Sequence, residues 1–437
     1  MEHKRHPDGL SSLCLSVGLE RAAYYGLQSI LAIYLVDLLG GEGEAASAIW
    51  LLPHLANISG AQGVALASVI TGLFLSLTAL APVIGGVMAD RVTGHRGAIL
   101  SGGGMMVAGH GLMIIEEAVL LALTAIALGS GLFKGTAAAQ VSTLYAREDT
   151  ARVEGFRLFY IAINLAGLAA PLIIGTLGQR VAWHAGFGVA CAFMLIGLAV
   201  YWRRFSNGVA TADHAAALTA QRPSSDPCKL AVLAIGIAMI ALTNFQITNA
   251  YLLWVDRGFD LAIGSWRLPS SWMIAADGLL SLLALTVSSL FWHRFERRSG
   301  EVEAETKAMI GGWLVVGGVA CLVAAAMLHG RSGVPVFWGL AFQLLNSLGL
   351  ANVLPAVMAM FGQSSDNRNA ATAMAGFYLA MFAGGLLSTG LAARFTSMPV
   401  AMFWLLHCAA ACLGAACFAI LYYRRRRPVP GRDMAHA

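Results

Sequence analysis

Twelve stretches of mostly apolar residues run through this chain, and they constrain its fold more than any other feature. A helix that crosses a bilayer needs roughly 20 such residues. No stretch shows the ~10-residue alternation that is typical of outer-membrane barrels. The sequence therefore predicts an all-α integral membrane protein with twelve transmembrane helices near residues 10–39, 62–89, 98–116, 118–145, 155–178, 182–202, 229–254, 268–293, 307–328, 334–361, 370–393 and 399–423.

The composition agrees with a membrane protein. Apolar residues make up 58% of the 437 residues and charged residues 12%, and the mean hydropathy is +0.71. Soluble domains carry about 25% charged and about 45–50% apolar residues. A soluble enzyme or a nucleic-acid-binding protein is therefore excluded as a description of the whole chain.

The Lys and Arg residues between the spans predict the orientation. With the N-terminus inside, 21 of the 28 lie in cytoplasmic segments, five lie on the opposite side, and two lie within spans. Short cytoplasmic loops are the ones that collect Lys and Arg. The sequence thus predicts a multi-pass protein of the inner membrane with both termini cytoplasmic, and anionic lipid near Arg424–Arg427.

A polar linker divides the spans into six and six. We predict an N-terminal bundle over residues 1–202, a cytoplasmic linker over 203–228, a C-terminal bundle over 229–423 and a basic tail over 424–437. Transporters of the major-facilitator type have this organisation, with a substrate site near the midplane between the halves.

Four charged residues lie at mid-span depth, and they predict a polar cavity. A charge at the bilayer centre costs about 2.5–3.5 kcal/mol on insertion scales, so such residues usually face a cavity or a partner. Their formal charges sum to zero, which favours mutual pairing; an ion-pair network that only holds helices together is the alternative. These residues are Glu20, Arg21, Lys134 and Asp277.

Polar and aromatic side chains share helix faces with these charges. Residues spaced by three, four or seven lie on one face of a helix. For any single amide, an interhelical hydrogen bond is the alternative role. The faces comprise Arg21, Tyr24, Tyr25 and Gln28 in span 1, Tyr160 and Asn164 in span 5, Gln246 and Asn249 in span 7, and Gln343 and Asn346 in span 10.

Five short motifs follow one another in the first half. They read ERAAYYG at 20–26, GGVMADRVTGHR at 85–96, GSGLFK at 129–134, FYIAIN at 159–164 and WHAGFG at 183–188. In this order they resemble the motifs of the proton-dependent oligopeptide transporters, a major-facilitator family. In the second half, Asp256-Arg257 and LPSSW at 268–272 are similar to the same family.

The chain departs from the family pattern mainly at charged positions. Val17 stands in place of the first span 1 glutamate and Gln28 in place of a second arginine. The acid of span 7 becomes Phe245, and span 10 carries no glutamate. Asp277-Gly278 replaces the N-P pair of span 8, and Phe377 replaces a span 11 tryptophan.

The resemblance implies roles for individual residues. It implies proton coupling at Glu20 and gating at Asp90 and Arg91, whereas Asp277 is a candidate proton carrier because few other mid-span groups of this chain can accept a proton. Arg21 and Lys134 would anchor a carboxylate, and Asp277 would stand in for the missing amine-side acids. The full set of predicted substrate-binding residues is Arg21, Tyr24, Tyr25, Gln28, Lys134, Tyr160, Asn164, Phe245, Gln246, Asp277 and Phe377.

The sequence therefore predicts a secondary active transporter that moves a small peptide or peptide-like metabolite by alternating access. Transport is either coupled to protons or facilitative, in which case Asp277 would bind a substrate amine or Lys134. We expect no enzymatic activity, cofactor, metal or nucleic acid, because no nucleophile–base pair or ligand cluster is present. The expected partners are the substrate, protons and membrane lipid, and the expected state is a monomer. Two alternatives stay open: an exporter of a peptide-like natural product or drug, and a non-transporting membrane sensor that retains the fold.

Overall fold

The computed structural model describes residues 7, 9–40, 48–145, 151–205, 227–363 and 370–426. Nearly all of them are helical. The helices are α1 (Leu10–Gln28), α2 (Leu31–Gly40), α3 (Leu52–Ser59), α4 (Gly63–Met88), α5 (Gly94–Leu112), α6 (Val119–Thr143), α7 (Ala151–Arg180), α8 (Trp183–Phe205), α9 (Pro227–Asn244), α10 (Ala250–Gly258), α11 (Ser271–Ser299), α12 (Ala304–His329), α13 (Val336–Gln363), α14 (Ala370–Ala392) and α15 (Val400–Arg426).

The described helices are those of a multi-pass membrane protein, as predicted. Ten are long and apolar enough to cross a membrane, and the bent pair α1–α2 makes eleven. One of the ten is the 50-residue stretch Gly63–Leu112, which at 1.5 Å per residue would be about 75 Å long, against a ~30 Å hydrocarbon core. Gly94 interrupts it with φ 65° and ψ 164°, after a π-helical segment at Ala89–Thr93. Counting α4 and α5 as separate crossings gives twelve.

The first span is broken, although the sequence predicts one helix over 10–39. The axes of α1 and α2 differ by 41°. The Ser29 hydroxyl donates to the Gly26 carbonyl at 2.7 Å, and the Ile30 amide bonds to the Leu27 carbonyl instead of Gly26. This local competition with the helical ladder bends the chain.

The seventh span is also broken, between α9 and α10. The Gln246 side chain donates to the Ser388 carbonyl at 2.9 Å, and its oxygen accepts from the Ala250 amide at 3.4 Å. The amide side chain thus satisfies the Ala250 amide, which the helix break leaves free, and ties the break to the Ser388 carbonyl of α14.

The helices pack as two groups. In the first half, α1 packs on α7 and α8, and α6 packs on α4 and α5; in the second, α12 packs on α13 and α15, and α11 packs on α13. The halves meet through the pairs α4–α14 and α7–α11. Most of the predicted linker and of the basic tail lies outside the described residues.

Short strands join the loops at one end of the bundle. Strand β1 (Phe259–Asp260) pairs in parallel with β4 (Val334–Pro335), and β2 (Ala262–Ile263) pairs antiparallel with β3 (Trp266–Arg267). These pairs fix the loops before α11 and α13.

Candidate functional site

A central cavity of about 540 Å³ lies between the two halves. Helices α1, α4, α6 and α7 line it from the first half, and α9, the 245–249 break, α11, α13 and α14 line it from the second. Its walls are Arg21, Tyr24, Tyr25, Gln28, Leu75, Thr78, Ala79, Lys134, Ile163, Asn164, Gly167, Asn244, Phe245, Ile247, Thr248, Ile274, Asp277, Gly278, Ser281, Leu354, Met358, Phe377, Tyr378 and Met381.

Arg21 is held by groups of its own half. Its guanidinium forms a bidentate ion pair with Glu20 and donates to the Ser130 hydroxyl at 3.2 Å. It also lies 5.0 Å from the centre of the Tyr24 ring. Glu20 is 1% exposed and Arg21 3%, so their charges cancel in a buried place.

A chain of hydrogen bonds orders the polar face of α1. The Gln28 amide donates to the Tyr24 hydroxyl at 2.8 Å, and that hydroxyl donates to Thr78 at 2.8 Å. Thr78 in turn donates to the Leu75 carbonyl at 2.8 Å. The chain ties α1 to α4 and holds both aromatic and amide groups at the cavity wall.

Lys134 differs from Arg21 because it has no ion-pair or hydrogen-bond partner within the described part of the chain. Its side chain is exposed, and it lines the cavity. The first half therefore presents one uncompensated positive charge to the cavity.

Asp277 supplies the opposite charge from the second half. It lies on α11, one helical turn after Met273. Its Oδ1 atom is buried without a hydrogen-bond partner among the described residues. Around it, apolar and aromatic side chains complete the wall, among them Phe245, Phe377 and Tyr378. The cavity thus has a cationic side, an anionic side and an aromatic lining.

Three of the predicted functional residues do not line the cavity. Tyr160 is 54% exposed, and it misses the cavity although Asn164, one turn later on the same helix, reaches it. Gln246 is 0% exposed, and its amide bonds to the Ser388 carbonyl of α14 and to the Ala250 amide at the helix break. Glu20 lies behind Arg21. The other substrate-binding candidates all lie in the wall.

The predicted gating pair lies in the π-helical segment between α4 and α5. Arg91 is exposed, and the side chain of Asp90 lies outside the described residues. Among the residues that the structure describes, no group of three or more His, Cys, Asp or Glu gathers as a metal site.

Several wall residues escape sequence reasoning. Asn244, Thr248 and Ser281 are uncharged and belong to none of the motifs. Ser281 could have been found, since it lies four residues after Asp277 on the same helix face. Asn244 ends the helix before the break in the seventh span and Thr248 lies within that break, which hydropathy does not reveal.

Contacts between the halves close one end of the cavity. Gln179 of α7 donates to the Ser270 hydroxyl at 2.6 Å, and the Trp272 indole donates to Thr176 at 2.8 Å. Asn249 donates to the Ser68 carbonyl at 3.0 Å. This closed end lies opposite the end where α8 stops at Phe205 and α9 begins at Pro227.

Comparisons with known proteins point to one family. The family model described as the POT family matches residues 96–205. The chain is 26% identical to the uncharacterized transporter YclF of Bacillus subtilis, over 91% of this chain and 90% of YclF. It is 24% identical to the peptide transporter YePEPT of Yersinia enterocolitica, over 87% of this chain and 86% of that protein.

A solved structure shares the fold over nearly the whole chain. The crystal structure of the peptide transporter POT in complex with alafosfalin matches with a TM-score of 0.82 at 22% identity, covering 97% of this chain and 96% of that one. The motifs of the first half, the family match within it and the full-length relatives agree. The chain is therefore similar to the POT family over residues 96–205 and to transporters over nearly its whole length.

Proposed function

We propose that this chain is a secondary active transporter that moves a small peptide or peptide-like metabolite across the inner membrane by alternating access. The observation that carries the proposal is the central cavity between two helical halves, with Lys134 on one side and Asp277 on the other. A zwitterionic solute has one group for each of these charges. Aromatic and apolar walls suit the side chains of a peptide.

Substrate positioning follows from the charges. Lys134 binds the carboxylate, with Arg21 fixed beside it by Glu20, and Asp277 binds the amino group. Phe245 and Phe377 pack against the substrate side chains. YePEPT is named as a peptide transporter and one structural neighbour holds alafosfalin, which supports a peptide-like substrate here.

The conformational cycle follows from the contacts at the closed end. We place both termini and the 206–226 connection in the cytoplasm, so that the closed end faces outward and the structure is inward-open. Asp90 and Arg91 lie at the cytoplasmic turn between α4 and α5. They would pair with residues of the other half in the alternative, inward-closed state. The transporter acts as a monomer in this proposal.

Proton coupling is assigned first to Asp277 and second to Glu20. Among the described wall residues, Asp277 is the one carboxyl group, and Glu20 is held by Arg21. A protonated Asp277 keeps acceptor capacity for the substrate's amino group, so the proton and the substrate would cross together. Val17 and Phe245 stand where the family carries further acids, which leaves few other carriers.

Purified protein in proteoliposomes tests the proposal. We expect saturable uptake of a radiolabelled dipeptide, competition by other di- and tripeptides, and accumulation when the pH is lower outside. Asp277→Asn should lose accumulation and keep counterflow exchange. Uptake that peptides do not compete would refute the substrate class; accumulation that survives in Asp277→Asn would move the proton to Glu20.

Basic residues at the end of α15 and at the start of α9 contact acidic residues at the start of α12. Arg425 pairs with Glu303 at 2.9 Å and with Glu305 at 3.1 Å, so its charge is occupied by the start of α12. Lys229 joins the same cluster through Glu305 at 3.0 Å. Arg425 therefore stabilises the second half, and we assign the expected lipid contact to the other residues of the basic run that begins at Arg424.

A further inference from the structure

A group of buried oxygen atoms in the second half has no hydrogen-bond partner among the described residues. The atoms are Tyr251 Oη, Asp277 Oδ1, Gln343 Oε1 and Asn346 Oδ1. Tyr251 and Gln343 are 0% exposed and Asn346 1%. A buried polar atom without a partner costs about 1–3 kcal/mol. Such a group of atoms on adjacent helices calls for an occupant.

Three of these residues lie along the stretch where α11 packs on α13. Gln343 donates to the Met273 carbonyl at 2.8 Å, and the hydroxyls of Ser281 and Ser347 lie 3.1 Å apart. Asp277 lies midway between Met273 and Ser281 on one face of α11. It therefore faces the stretch of α13 that carries Gln343 and Asn346.

Tyr251 closes the group from α10. A Cβ atom at Gly339 would lie 2.6 Å from the Tyr251 hydroxyl and 3.0 Å from the end of Met273. Gly339 lies one turn before Gln343 on the same face of α13. Because Gly339 has no side chain, the Tyr251 hydroxyl fits beside the contact between Met273 and Gln343.

The break in the seventh span adds a negative helix end. The Asn346 amide donates to Asn244 Oδ1 at 3.2 Å, and Asn244 is the last residue of α9. The carboxyl end of a helix carries a partial negative charge. In transporters, broken helices place such ends and their free carbonyls around coupling cations.

The amide orientations leave oxygen atoms facing the site. Gln343 bonds to a backbone carbonyl, which accepts only, so its nitrogen must face Met273 and its oxygen must point away. The Asn346 amide nitrogen donates to the Asn244 side-chain oxygen. The site therefore combines one carboxylate, two amide oxygens and one hydroxyl, with no Lys, Arg or His among them.

We propose that these atoms form a binding site for a monovalent cation, Na⁺, directly behind Asp277. Oxygen donors of this kind suit hard cations rather than transition metals. One carboxylate balances one positive charge, whereas a divalent ion would leave a buried excess charge. Asn244, Asp277 and Ser281 line the central cavity, so the ion enters from there.

A proton on Asp277 would supply hydrogen bonds to fewer of the four buried oxygen atoms than a cation would bind. A protonated Asp277 has one O–H donor and serves one further oxygen, and the Tyr251 hydroxyl serves one more. In the proposed site, a cation would take all four oxygens as ligands. Since Na⁺ and a proton would share Asp277, each excludes the other. Binding itself does not depend on the proposed substrate, and only a role in coupling rests on the transport function.

Melting of the purified full-length protein in detergent tests the site. NaCl is titrated against choline chloride at constant ionic strength and at about pH 8, where an ordinary carboxyl is ionised. We expect the melting temperature to rise saturably with Na⁺ and not with choline. Tyr251→Phe and Gln343→Met should each raise the half-saturating Na⁺ concentration about tenfold, because each removes one ligand of the charged ion. Asp277→Asn should abolish the response.

Asn352→Leu is the matched control on the same helix. Its oxygen accepts from Ser288 at 3.0 Å and from Trp292, so its loss should lower the melting temperature and keep the Na⁺ response. Equal stabilisation by choline, a response to pH without one to Na⁺, or an unchanged response in Tyr251→Phe would overturn the proposal. Tyr251→Phe removes a single oxygen atom, so the test stands even if Gln343→Met does not fold.

Discussion

Arg21 and Lys134 carry the same charge but occupy different environments. The sequence predicts both as equal anchors for a carboxylate. In the structure, Glu20 neutralises Arg21 at 1% exposure, whereas Lys134 faces the cavity without a partner among the described residues. The substrate's anionic group should therefore depend on Lys134 for affinity, while Arg21 contributes first to the stability of the fold.

Substitution by Gln separates these two roles. Lys134→Gln should weaken peptide binding about tenfold or more, the value of a charge-assisted hydrogen bond, with little change in the melting temperature without peptide. Arg21→Gln should cost about 3–5 kcal/mol, because it leaves the Glu20 carboxylate buried and unpaired. Melting curves with and without a dipeptide measure both effects.

The double variant Glu20→Gln/Arg21→Gln supplies the control. Removing both charges should restore much of the stability that Arg21→Gln loses, as expected for a coupled pair. A double variant less stable than the single one would show that the Glu20–Arg21 pair is not what stabilises this region.

Sequence reasoning identified most of the wall but not each side chain's direction. The i, i+3, i+4, i+7 face of α1 predicted Arg21 and Gln28 in the cavity, because helix geometry alone fixes that face. It misplaced Tyr160, since the rotation of α7 depends on tertiary packing. The sequence could not show that the Gln246 amide bonds to two backbone groups, because the helix break beside it depends on tertiary packing.

At the scale of helices, hydropathy located nearly every span and missed every break. An apolar window has the same mean whether the helix is straight or interrupted. Ser29 and Gln246 mark the two breaks, and either residue could equally have faced a neighbouring helix. The broken spans are nevertheless where function concentrates, since α1 carries Arg21 and the second break borders Asp277.

Adjacent glycines in α4 provide a matched test of helix packing. A Cβ atom at Gly85 would overlap the Gly131 carbonyl of α6, whereas one at Gly86 would meet nothing within 4 Å. Gly85→Ala should therefore destabilise the protein by about 1–3 kcal/mol. Gly86→Ala should be neutral or raise stability by up to ~1 kcal/mol, because alanine favours the helix.

Thermal melting of the two variants in detergent decides this prediction. Equal melting temperatures would mean that α4 and α6 can separate at no cost, and that the close approach at Gly85 is not required.

For the whole molecule, the orientation rests on the distribution of Lys and Arg. We expect cysteines introduced at Ser206 and Ala215, in the linker outside the described residues, to react only after the membrane is permeabilised. A cysteine at Gly264, in the turn between β2 and β3, should react in intact cells. Reaction of Ser206→Cys from outside would reverse the orientation and the direction of transport with it.

One methyl group added at Gly72 should destabilise the closed end of the cavity. A Cβ atom at Gly72 of α4 would overlap the Thr389 hydroxyl of α14 and lie 2.8 Å from Thr389 Cβ, across the contact between the halves. Overpacking of this kind costs about 1–3 kcal/mol, and the cost falls only on the state in which the halves touch there. Gly72→Ala should therefore shift the population toward the outward-open state.

A cysteine at Ala79, in the cavity wall, reports the shift in a background without the seven native cysteines. A membrane-impermeant maleimide added outside should label it about fivefold faster in Gly72→Ala, since ~1 kcal/mol changes a population by about that factor. Thr389→Gly removes the opposing side chain, so the double variant should return to the original rate. If Gly72→Ala leaves labelling unchanged, or if Thr389→Gly fails to reverse it, the contact between α4 and α14 is not the one that closes the outer end.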